Sequence, residues 1–303
     1  MNWWKKLKGK VRLREPLKNH TTFKIGGPAN FFIEPDNPDD LRLLLGHAKQ
    51  HNLPIFVMGK GSNLLVSDKG ISGVVARLSA PYFNRLSCKD SYLCAGSGVL
   101  LGRVVVFAQK HGLSGAEFLA GIPGTVGGAL AMNAGISEKV RGSQATVHSM
   151  GDLIEKVTVM DYAGNIKTLN KEEIKFGYRQ SSLSKYIILS TLMKLKKAGK
   201  KQIKGKIKSY LEHRKLSQDL SKPSAGCIFR NPAGHSAGKL IDLCGLKGKR
   251  IKGAAVSLKH ANFILNIKGA GFRDVRELMD CIRNKVNSKF NINLTPEIKI
   301  WQC

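Results

Sequence analysis

The chain has 303 residues, 42% hydrophobic and 23% charged, which is the composition of a globular protein large enough for two domains. Its 50 Lys and Arg residues against 21 Asp and Glu give a formal net charge of +29. This charge favours anionic partners such as phosphates, nucleotides, nucleic acid or acidic membrane, although a generally basic proteome would produce it as well. We expect no membrane span and no signal peptide, because no apolar run is long enough for either.

The six cysteines show no pattern of a metal site or a disulfide framework. None forms a C-x-x-C pair, and no histidines cluster near them, so we expect no bound metal and a reducing compartment, the cytoplasm. They are Cys88, Cys94, Cys227, Cys244, Cys281 and Cys303.

The first elements are predicted from turn and capping signals. Residues 19–34 are expected to form a strand, a Gly-Gly-Pro turn and a second strand. Asn37 is a candidate N-cap for a helix that begins at Pro38. The apolar face of that helix consists of Leu41, Leu44, Leu45 and Ala48.

A glycine-containing loop follows the short strand predicted at 54–58. It consists of Gly59, Lys60, Gly61, Ser62 and Asn63, and a strand resumes at Leu64. The loop offers several donors to a phosphate, with a plain β-turn as an equal alternative. Its spacing matches neither a P-loop nor a Rossmann fingerprint.

A second glycine-rich stretch, 121–135, comes after a helix predicted at 99–111. It is predicted to be a tight turn from Gly121 to Gly124 that opens into a short helix. Its glycines allow close backbone approach, and free N–H groups at the helix N-terminus would suit a phosphate. Close helix–strand packing without any ligand is an equal alternative.

The next segments close the first domain and lead to the second. Tyr178 and Arg179 form a candidate anion clamp, although an Arg stacked on a Tyr at the surface is more common. The basic stretch 199–215 is predicted to be a solvated helix, because its only aromatic residue is Tyr210 and no nucleic-acid motif accompanies it. Strands are predicted near 146–149, 153–161, 165–169 and 185–197.

The C-terminal part carries two candidate reactive groups. Small residues place Cys227 on approachable backbone, although a buried structural thiol is the usual role of a single Cys. Glu297 lies among apolar residues of a strand predicted at 294–301, so it either faces solvent or has a raised pKa. The other predicted elements are helices at 236–243 and 272–290 and a strand at 261–267.

Eight segments, in their order along the chain, resemble the UDP-N-acetylenolpyruvoylglucosamine reductase (UDP-N-acetylmuramate dehydrogenase) family. The resemblance extends from residue 19 to residue 301, and the short C-terminal part is similar to the shorter family subtype. The segments are NHTTFKIGGPA (19–29), GKGSNLLVSD (59–68), GIPGTVGGALAMNAG (121–135), FGYRQS (176–181), PSAGCIFRNP (223–232), SAGKLID (236–242), KHANFILN (259–266) and PEIKIW (296–301).

The resemblance implies an α+β fold, with an FAD-binding domain of the vanillyl-alcohol-oxidase (PCMH) type and a C-terminal α+β substrate-binding domain. The implied division is an N-terminal extension at 1–18, the FAD domain at 19–198, a basic helix and linker at 199–222, and the substrate domain at 223–303. The implied cofactor-binding residues are Gly59, Lys60, Gly61, Ser62, Asn63, Gly121, Ile122, Pro123, Gly124, Thr125, Gly127 and Gly128.

The resemblance also implies a role in peptidoglycan precursor synthesis, and we expect a cytoplasmic monomer. NADPH would reduce FAD, and reduced FAD would give hydride to the enolpyruvyl ether of a UDP-sugar, forming UDP-N-acetylmuramate. Neither nucleic acid nor a membrane is an implied partner.

By match to the family motifs, the implied catalytic residues are Arg179, Cys227 and Glu297. Cys227 stands where the family commonly has Ser, so a thiol would replace a hydroxyl as proton donor. Tyr178, Asn231 and, less clearly, Lys215 match substrate-binding positions. Asp219 falls where the family often has Pro, which puts the shape of loop 216–222 in question.

Two other functions stay open at the level of sequence. A related FAD oxidase or dehydrogenase would share the first domain but would not need the segments around Cys227 and Glu297. A basic protein that binds nucleic acid or a membrane surface would hold no flavin, and its affinity would fall steeply with salt.

Overall fold

The structure, a computed structural model, describes residues 3–138 and 146–302. The chain divides into two compact units, and each is assembled from separate stretches of sequence. Sequence reasoning predicts contiguous domains, whereas the observed units interleave along the chain. Unit 1 is Met1–Arg12, Phe32–Lys60 and Val74–His213, and unit 2 is Leu13–Phe31, Gly61–Gly73 and Arg214–Cys303.

The predicted helices agree with the capping and periodicity signals, whereas the short helix at Met150–Leu153 is not predicted. The Asn37 side chain accepts hydrogen bonds from the N–H groups of Asp39 and Asp40, so the predicted N-cap is confirmed. The α-helices are α1 (Pro38–Gln50), α2 (Leu101–Lys110), α3 (Val126–Ala131), α4 (Met150–Leu153), α5 (Lys200–Ser217), α6 (Ala237–Leu243) and α7 (Phe272–Phe290).

The strands are short, and they are less well predicted at the two ends of the chain. They are β1 (Lys10–Pro16), β2 (Pro28–Glu34), β3 (Ile55–Met58), β4 (Leu64–Val66), β5 (Ile71–Arg77), β6 (Leu86–Lys89), β7 (Tyr92–Gly96), β8 (Leu113–Ser114), β9 (Gly135–Glu138), β10 (Thr146–Ser149), β11 (Ile154–Met160), β12 (Ile166–Asn170), β13 (Phe176–Gly177), β14 (Gln180–Ser181), β15 (Ile187–Lys194), β16 (Lys196–Lys197), β17 (Ser224–Cys227), β18 (Arg250–Ile251), β19 (Ala254–Val256), β20 (Phe263–Asn266) and β21 (Lys299–Trp301).

The first predicted strand is wrong in its position. β1 lies inside the predicted N-terminal extension, and residues 20–27 form no strand. The physical reason is a pair of backbone conformations that a strand cannot contain. Lys24 has a φ of 59° and Gly26 a φ of 140°.

Three larger sheets organise these strands. One is antiparallel with the order β12-β11-β15-β7-β6, and one has the order β1-β2-β5-β3, in which β3 runs parallel to β5. The third, in the C-terminal part, is antiparallel with the order β17-β20-β19-β18. Shorter pairs are β9 with β10, β8 with β16, β13 with β14, and β4 with β21.

Unit 1 has a core in which α2 and α3 pack with the five-stranded sheet. α2 buries one face, and β11 and β15 contribute alternating apolar residues. The fully buried members include Val104, Leu130, Val157 and Met193. This packing fixes the ends of α2 and α3, which carry the segments described below.

Unit 2 has a separate core formed by α6, α7 and the third sheet. The buried face of α7 is the predicted one, formed by Val275, Leu278, Met279, Ile282 and Val286. β21 pairs in parallel with β4, so residues 64–66 and 299–301 stabilise each other inside this unit. The predicted strand at 294–301 is therefore shorter than expected, and Glu297 precedes it.

We expect Ile282→Ala to lower the free energy of unfolding by about 2–5 kcal/mol, because it leaves a cavity under α7. Ile166→Ala is the matched control, since Ile166 is 44% exposed on β12. Thermal and denaturant unfolding of both variants measures the effect. An equal loss of stability in the two variants would contradict this view of the core.

Candidate active site

The loop after β3 presents backbone N–H groups that have no protein partner. Gly61 has a left-handed φ of 69°, and any Cβ there would collide with the His20 carbonyl oxygen. Within the described residues, the N–H groups of Gly61, Ser62 and Asn63 make no hydrogen bond. Successive unbonded N–H groups form a concavity that binds anions. The loop therefore fits a phosphate group.

The carbonyl groups of the same loop are fixed within unit 2. Gly61 O accepts a hydrogen bond from Thr22 N at 3.1 Å, and Asn63 O accepts one from Lys299 N at 2.9 Å. The Asn63 amide nitrogen donates to Glu297 O at 3.3 Å. With the carbonyl groups held, the orientation of the N–H groups is set before any ligand arrives.

Within unit 1, the two glycine-containing segments meet. A Cβ at Gly59 would lie 2.6 Å from Thr125 Oγ1, so only glycine allows this approach. Beside the contact is a cavity of about 350 Å³ with two cationic side chains at its wall. It is lined by Lys60, Leu100, Gly102, Arg103 and residues 122–124. Arg103 is a residue that the sequence motifs do not single out.

The expectation of free N–H groups at the N-terminus of α3 is wrong. Val126 N donates to Val99 O and Gly127 N donates to Ser97 O, each at 2.8 Å. Gly128 N donates to Thr125 Oγ1 at 3.3 Å. The helix N-terminus is thus satisfied by its own surroundings, and close backbone approach is what its glycines provide.

Ser97 adds a polar atom that the protein leaves unbonded. It is 3% exposed and packs against Gly127, whose Cβ, if present, would lie 2.9 Å from that of Ser97. In the described structure its Oγ is buried and has no hydrogen-bond partner. A buried hydroxyl without a partner is costly, so this position suits contact with a bound polar group.

Tyr178 and Arg179 form the two-residue turn between β13 and β14. Arg179 has a φ of 55°, and its guanidinium carbon lies 5.2 Å from the centre of the Tyr178 ring. The hairpin is tied to the end of α3 because Ser181 Oγ donates to Leu130 O at 2.8 Å. The contact between Arg and Tyr predicted as the common alternative is present.

Cys227 and Glu297 come from segments that hydrogen-bond to each other in unit 2. Cys227 ends β17 directly after Gly226, which has a φ of 78°. Glu297 N donates to Ile228 O at 2.7 Å, and an isolated bridge joins Phe229 with Pro296. The structure therefore brings together two of the three predicted catalytic residues through the backbone of their neighbours.

Of the two predicted substrate-binding residues in the C-terminal part, Asn231 is the better anchored. Its side-chain oxygen accepts from Ala237 N at 3.0 Å, at the start of α6. Lys215 is exposed in the last turn of α5. Its neighbour Arg214 is half-buried, and burial lowers the pKa of the guanidinium, whereas interaction with the Cys227 thiolate raises it. Arg214 carries no motif signal, so sequence reasoning missed it.

Asp219, where the family often has Pro, fixes the loop 216–222 through hydrogen bonds. Ser257 Oγ donates to Asp219 Oδ2 at 2.6 Å, and Ser221 Oγ donates to Asp219 Oδ1 at 2.6 Å. Burial would raise the pKa of Asp219, but these hydrogen bonds outweigh it and the pKa is lowered. The loop is held by a charged side chain rather than by a rigid ring.

Residues 3–138 and 146–302 are the part of the chain that the structure describes. Within these ranges no three His, Cys, Asp or Glu residues are placed to hold a metal ion, and no helix is long and apolar enough to cross a membrane. The cysteines in the same ranges form no disulfide. Cys303 lies outside them.

Two family models match the chain. The model of the C-terminal domain of UDP-N-acetylenolpyruvoylglucosamine reductase matches residues 218–301. An FAD binding domain model matches residues 29–170. The first contains Cys227 and Glu297, and the second contains both glycine-containing segments.

Relatives of known name align along nearly the whole chain. The UDP-N-acetylenolpyruvoylglucosamine reductase of Caldanaerobacter subterraneus is 44% identical over 294 residues, covering 96% of this chain and 94% of the relative. That of Bacillus subtilis is 39% identical over 295 residues, with the same coverages. The crystal structure of UDP-N-acetylenolpyruvylglucosamine reductase (MurB) from Thermus caldophilus has a TM-score of 0.80 and 36% identity, covering 97% of this chain and 100% of that one.

We expect Asp219→Asn to destabilise the protein at neutral pH and to do so less at low pH. Because the pKa of Asp219 is lowered on folding, its ionised form stabilises the protein above its unfolded pKa of about 3.9. That contribution disappears as the pH falls through the folded-state pKa. Unfolding of the wild type and the variant at pH 7 and near pH 3 tests this. A difference that is constant or larger at low pH would contradict it.

Proposed function

The chain belongs to the UDP-N-acetylenolpyruvoylglucosamine reductase family, and we propose that it reduces UDP-N-acetylenolpyruvoylglucosamine to UDP-N-acetylmuramate with FAD and NADPH. This is a step of peptidoglycan precursor synthesis. The observation that carries the proposal is the hydrogen-bonded pairing of the segment after Cys227 with the segment that contains Glu297. Another flavoenzyme of the same first domain would have no need of this pairing.

Each of the two units contains groups that suit contact with FAD. The N–H groups of Gly61, Ser62 and Asn63 suit a phosphate oxygen of its diphosphate. In unit 1, Ser97 Oγ suits contact with a polar group of FAD, and the glycines of 121–128 allow close backbone approach. The chemistry that bound FAD supplies is transfer of hydride from NADPH to the enolpyruvyl double bond.

Arg179 is proposed to bind the carboxylate of the substrate. Negative charge develops on this carboxylate as the double bond is reduced, because the transition state resembles an enolate. A guanidinium meets a carboxylate through two parallel hydrogen bonds, and stacking on Tyr178 limits its motion. Tyr178, which is 50% exposed, is proposed to line the same pocket.

Cys227 is proposed to donate the proton that completes the reduction. The S–H bond breaks as the proton goes to the carbon next to the carboxylate, and the resulting thiolate regains a proton from solvent. A protonated Glu297 would donate a hydrogen bond to the enolate oxygen, so it would need a raised pKa. A thiol is a stronger acid than the serine hydroxyl common at this position.

The proposal extends to substrate binding, cellular compartment and oligomeric state. Asn231 and Lys215 are proposed to bind the sugar or the diphosphate of the substrate. Cysteines without disulfides and the use of NADPH support a cytoplasmic setting. We further propose a monomer, to be tested by light scattering of the purified protein.

The decisive test is the visible spectrum of the purified protein under anaerobic conditions. We expect a yellow protein whose flavin absorbance is bleached by NADPH and restored by UDP-N-acetylenolpyruvoylglucosamine. A yellow protein that this sugar does not re-oxidise would contradict the substrate. A colourless protein that takes up no FAD would contradict the whole proposal.

Replacing the proposed proton donor should affect one half-reaction only. We expect Cys227→Ala to slow re-oxidation by the UDP-sugar by roughly 10²–10⁴-fold, the usual contribution of a proton donor. Reduction by NADPH should be unchanged, and Cys227→Ser should restore part of the loss. The matched control is Cys244→Ala, also half-buried in unit 2. Stopped-flow absorbance measures both steps, and equal losses in both would count against the role of Cys227.

The loop geometry predicts a defect in cofactor binding. We expect Gly61→Ala to weaken FAD binding about tenfold or more, because the added Cβ collides with His20 O and the positive φ costs ~1–3 kcal/mol. Gly205→Ala in α5 is the control, since nothing lies within 4 Å of its added Cβ. Titration of the apoproteins with FAD gives the two affinities. Unaltered binding by the Gly61 variant would disprove the proposed contact.

A further inference from the structure

Asn262 makes an unusual set of hydrogen bonds to the residues that follow Cys227. Phe229 N donates to Asn262 Oδ1 at 2.9 Å, and Asn262 Nδ2 donates to Phe229 O at 2.8 Å. Ile228 N donates to the backbone oxygen of Asn262 at 2.9 Å. Asn262 is 3% exposed, so these bonds are shielded from water. One buried residue thus bonds the backbone of the two residues that follow Cys227, Ile228 and Phe229.

The Asn262 side chain is needed to bond the backbone after Cys227, because the regular pairing of β17 with β20 ends at Cys227. Ser224 pairs with Leu265 and Cys227 pairs with Phe263, so β17 contains one more residue than β20 between these pairs. The extra residue makes a bulge, and Gly226 adopts its positive φ within it. Beyond Cys227 no further ladder pair with β20 follows, and the Asn262 amide takes the place of the next one.

The opposite edge of the same segment carries Glu297. Ile228 O accepts from Glu297 N at 2.7 Å, and Arg230 N donates to Thr295 O at 2.9 Å. The segment 228–230 is therefore bonded on both edges. Any shift of its backbone would move Cys227 and the backbone of Glu297 relative to each other.

We propose that Asn262 is a positioning residue, which holds Cys227 in register with Glu297 while the proton is delivered to the substrate. The proposal rests on the proposed function, because it assigns a purpose in that reaction to the hydrogen bonds of Asn262 with Ile228 and Phe229, which we call the Asn262 clamp. Asn262 itself touches neither substrate nor cofactor in this account. It acts through the backbone of Ile228 and Phe229.

The turn that carries Asn262 is itself fixed. Asn262 N donates to His260 Nδ1 at 3.2 Å. Ser257 Oγ accepts from Lys259 N at 3.0 Å and from His260 N at 3.1 Å, and it donates to Asp219. Burial lowers the pKa of His260, which favours the neutral ring that can accept this bond, and the opposing effect of a backbone hydrogen bond is smaller. Hydrogen bonds within residues 257–262 therefore fix the turn that carries Asn262.

The test compares Asn262, in the turn before β20, with a matched asparagine at the end of β20, Asn266. Asn266 donates to Phe23 O at 3.1 Å and accepts from Ala270 N at 2.9 Å, so it also has one donated and one accepted bond. Asn262→Asp keeps the acceptor for Phe229 N and loses the donor to Phe229 O. Asn266→Asp makes the same chemical change away from Cys227. Asn262→Ala removes both bonds and serves as the stronger variant where it folds.

We expect Asn262→Asp to slow re-oxidation of the reduced flavin by the UDP-sugar by roughly 10²-fold, the usual effect of a misplacement of about 1 Å. Reduction by NADPH and the KM for the UDP-sugar should stay at the wild-type values. Asn266→Asp should change none of the three. Stopped-flow and steady-state rates provide these numbers.

A second readout does not depend on turnover. Iodoacetamide alkylation of the FAD-loaded protein, followed by peptide mass spectrometry, gives the labelling rate of Cys227 with Cys244 as internal reference. We expect a several-fold change in the Cys227 rate in Asn262→Asp relative to Asn266→Asp, because a loosened backbone alters the exposure and orientation of the thiol.

The outcomes separate this inference from the proposed function. Equal slowing of both half-reactions, a selective loss in the Asn266 variant as well, or an unchanged Cys227 labelling rate would overturn the role of Asn262. If the wild-type flavin is not re-oxidised by the UDP-sugar, the proposed function fails. The labelling rate of Cys227 alone then tests whether Asn262 positions Cys227. In that case a changed Cys227 rate supports the clamp, and an unchanged rate overturns it.

Discussion

Hydrogen bonding along both edges of the segment 228–230 is the constraint on which the reactive part of this protein depends. Buried backbone N–H and C=O groups must be paired, and the bulge in β17 removes the regular partners after Cys227. Asn262 supplies partners on one edge, and residues 295–297 supply them on the other. Hydrogen bonds on both edges, which tolerate errors of only a few tenths of an ångström, therefore fix the backbone that carries the two proposed catalytic residues, Cys227 and Glu297.

Local signals in the sequence predict the helices well. Asn37 before Pro38 marks the start of α1, and the apolar spacing of α7 predicts its buried face residue for residue. The strands at the two ends of the chain are less predictable, because their limits depend on pairing with distant segments. β21 is three residues long because it pairs with the three residues of β4. Positive φ values at Lys24 and Gly26 exclude the strand expected before β2.

The two glycine-containing segments show what a motif can and cannot predict. Both are correctly singled out as places of close backbone approach, at Gly59 and Gly61 in one and at Gly127 in the other. Whether the N–H groups of each segment are hydrogen-bonded depends on acceptor atoms of residues that are distant in sequence. Ser97 and Val99 bond the N-terminus of α3, whereas nothing in the described structure bonds the N–H groups of 61–63.

Motif reasoning assigns no role to residues whose contacts are distant in sequence, even where the residue lies inside a motif, as Asn262 does in KHANFILN. The Asn262 clamp joins residues 33 positions apart, and Cys227 raises the pKa of Arg214 against the larger, lowering effect of burial. Asp219 looks like a defect in a motif, yet the structure gives it partners in Ser221 and Ser257. A one-dimensional pattern records residue types, and these roles are defined by three-dimensional pairing.

The parallel pairing of β4 with β21 has a consequence for biosynthesis. The loop 61–63 is braced by Lys299 N and by Glu297 O, and the latter contact joins residues 234 positions apart. During translation, residues 61–63 leave the ribosome long before these partners are made, so this long-range contact forms late. The flavin diphosphate contact proposed for this loop would therefore wait for the emergence of residues 297–301.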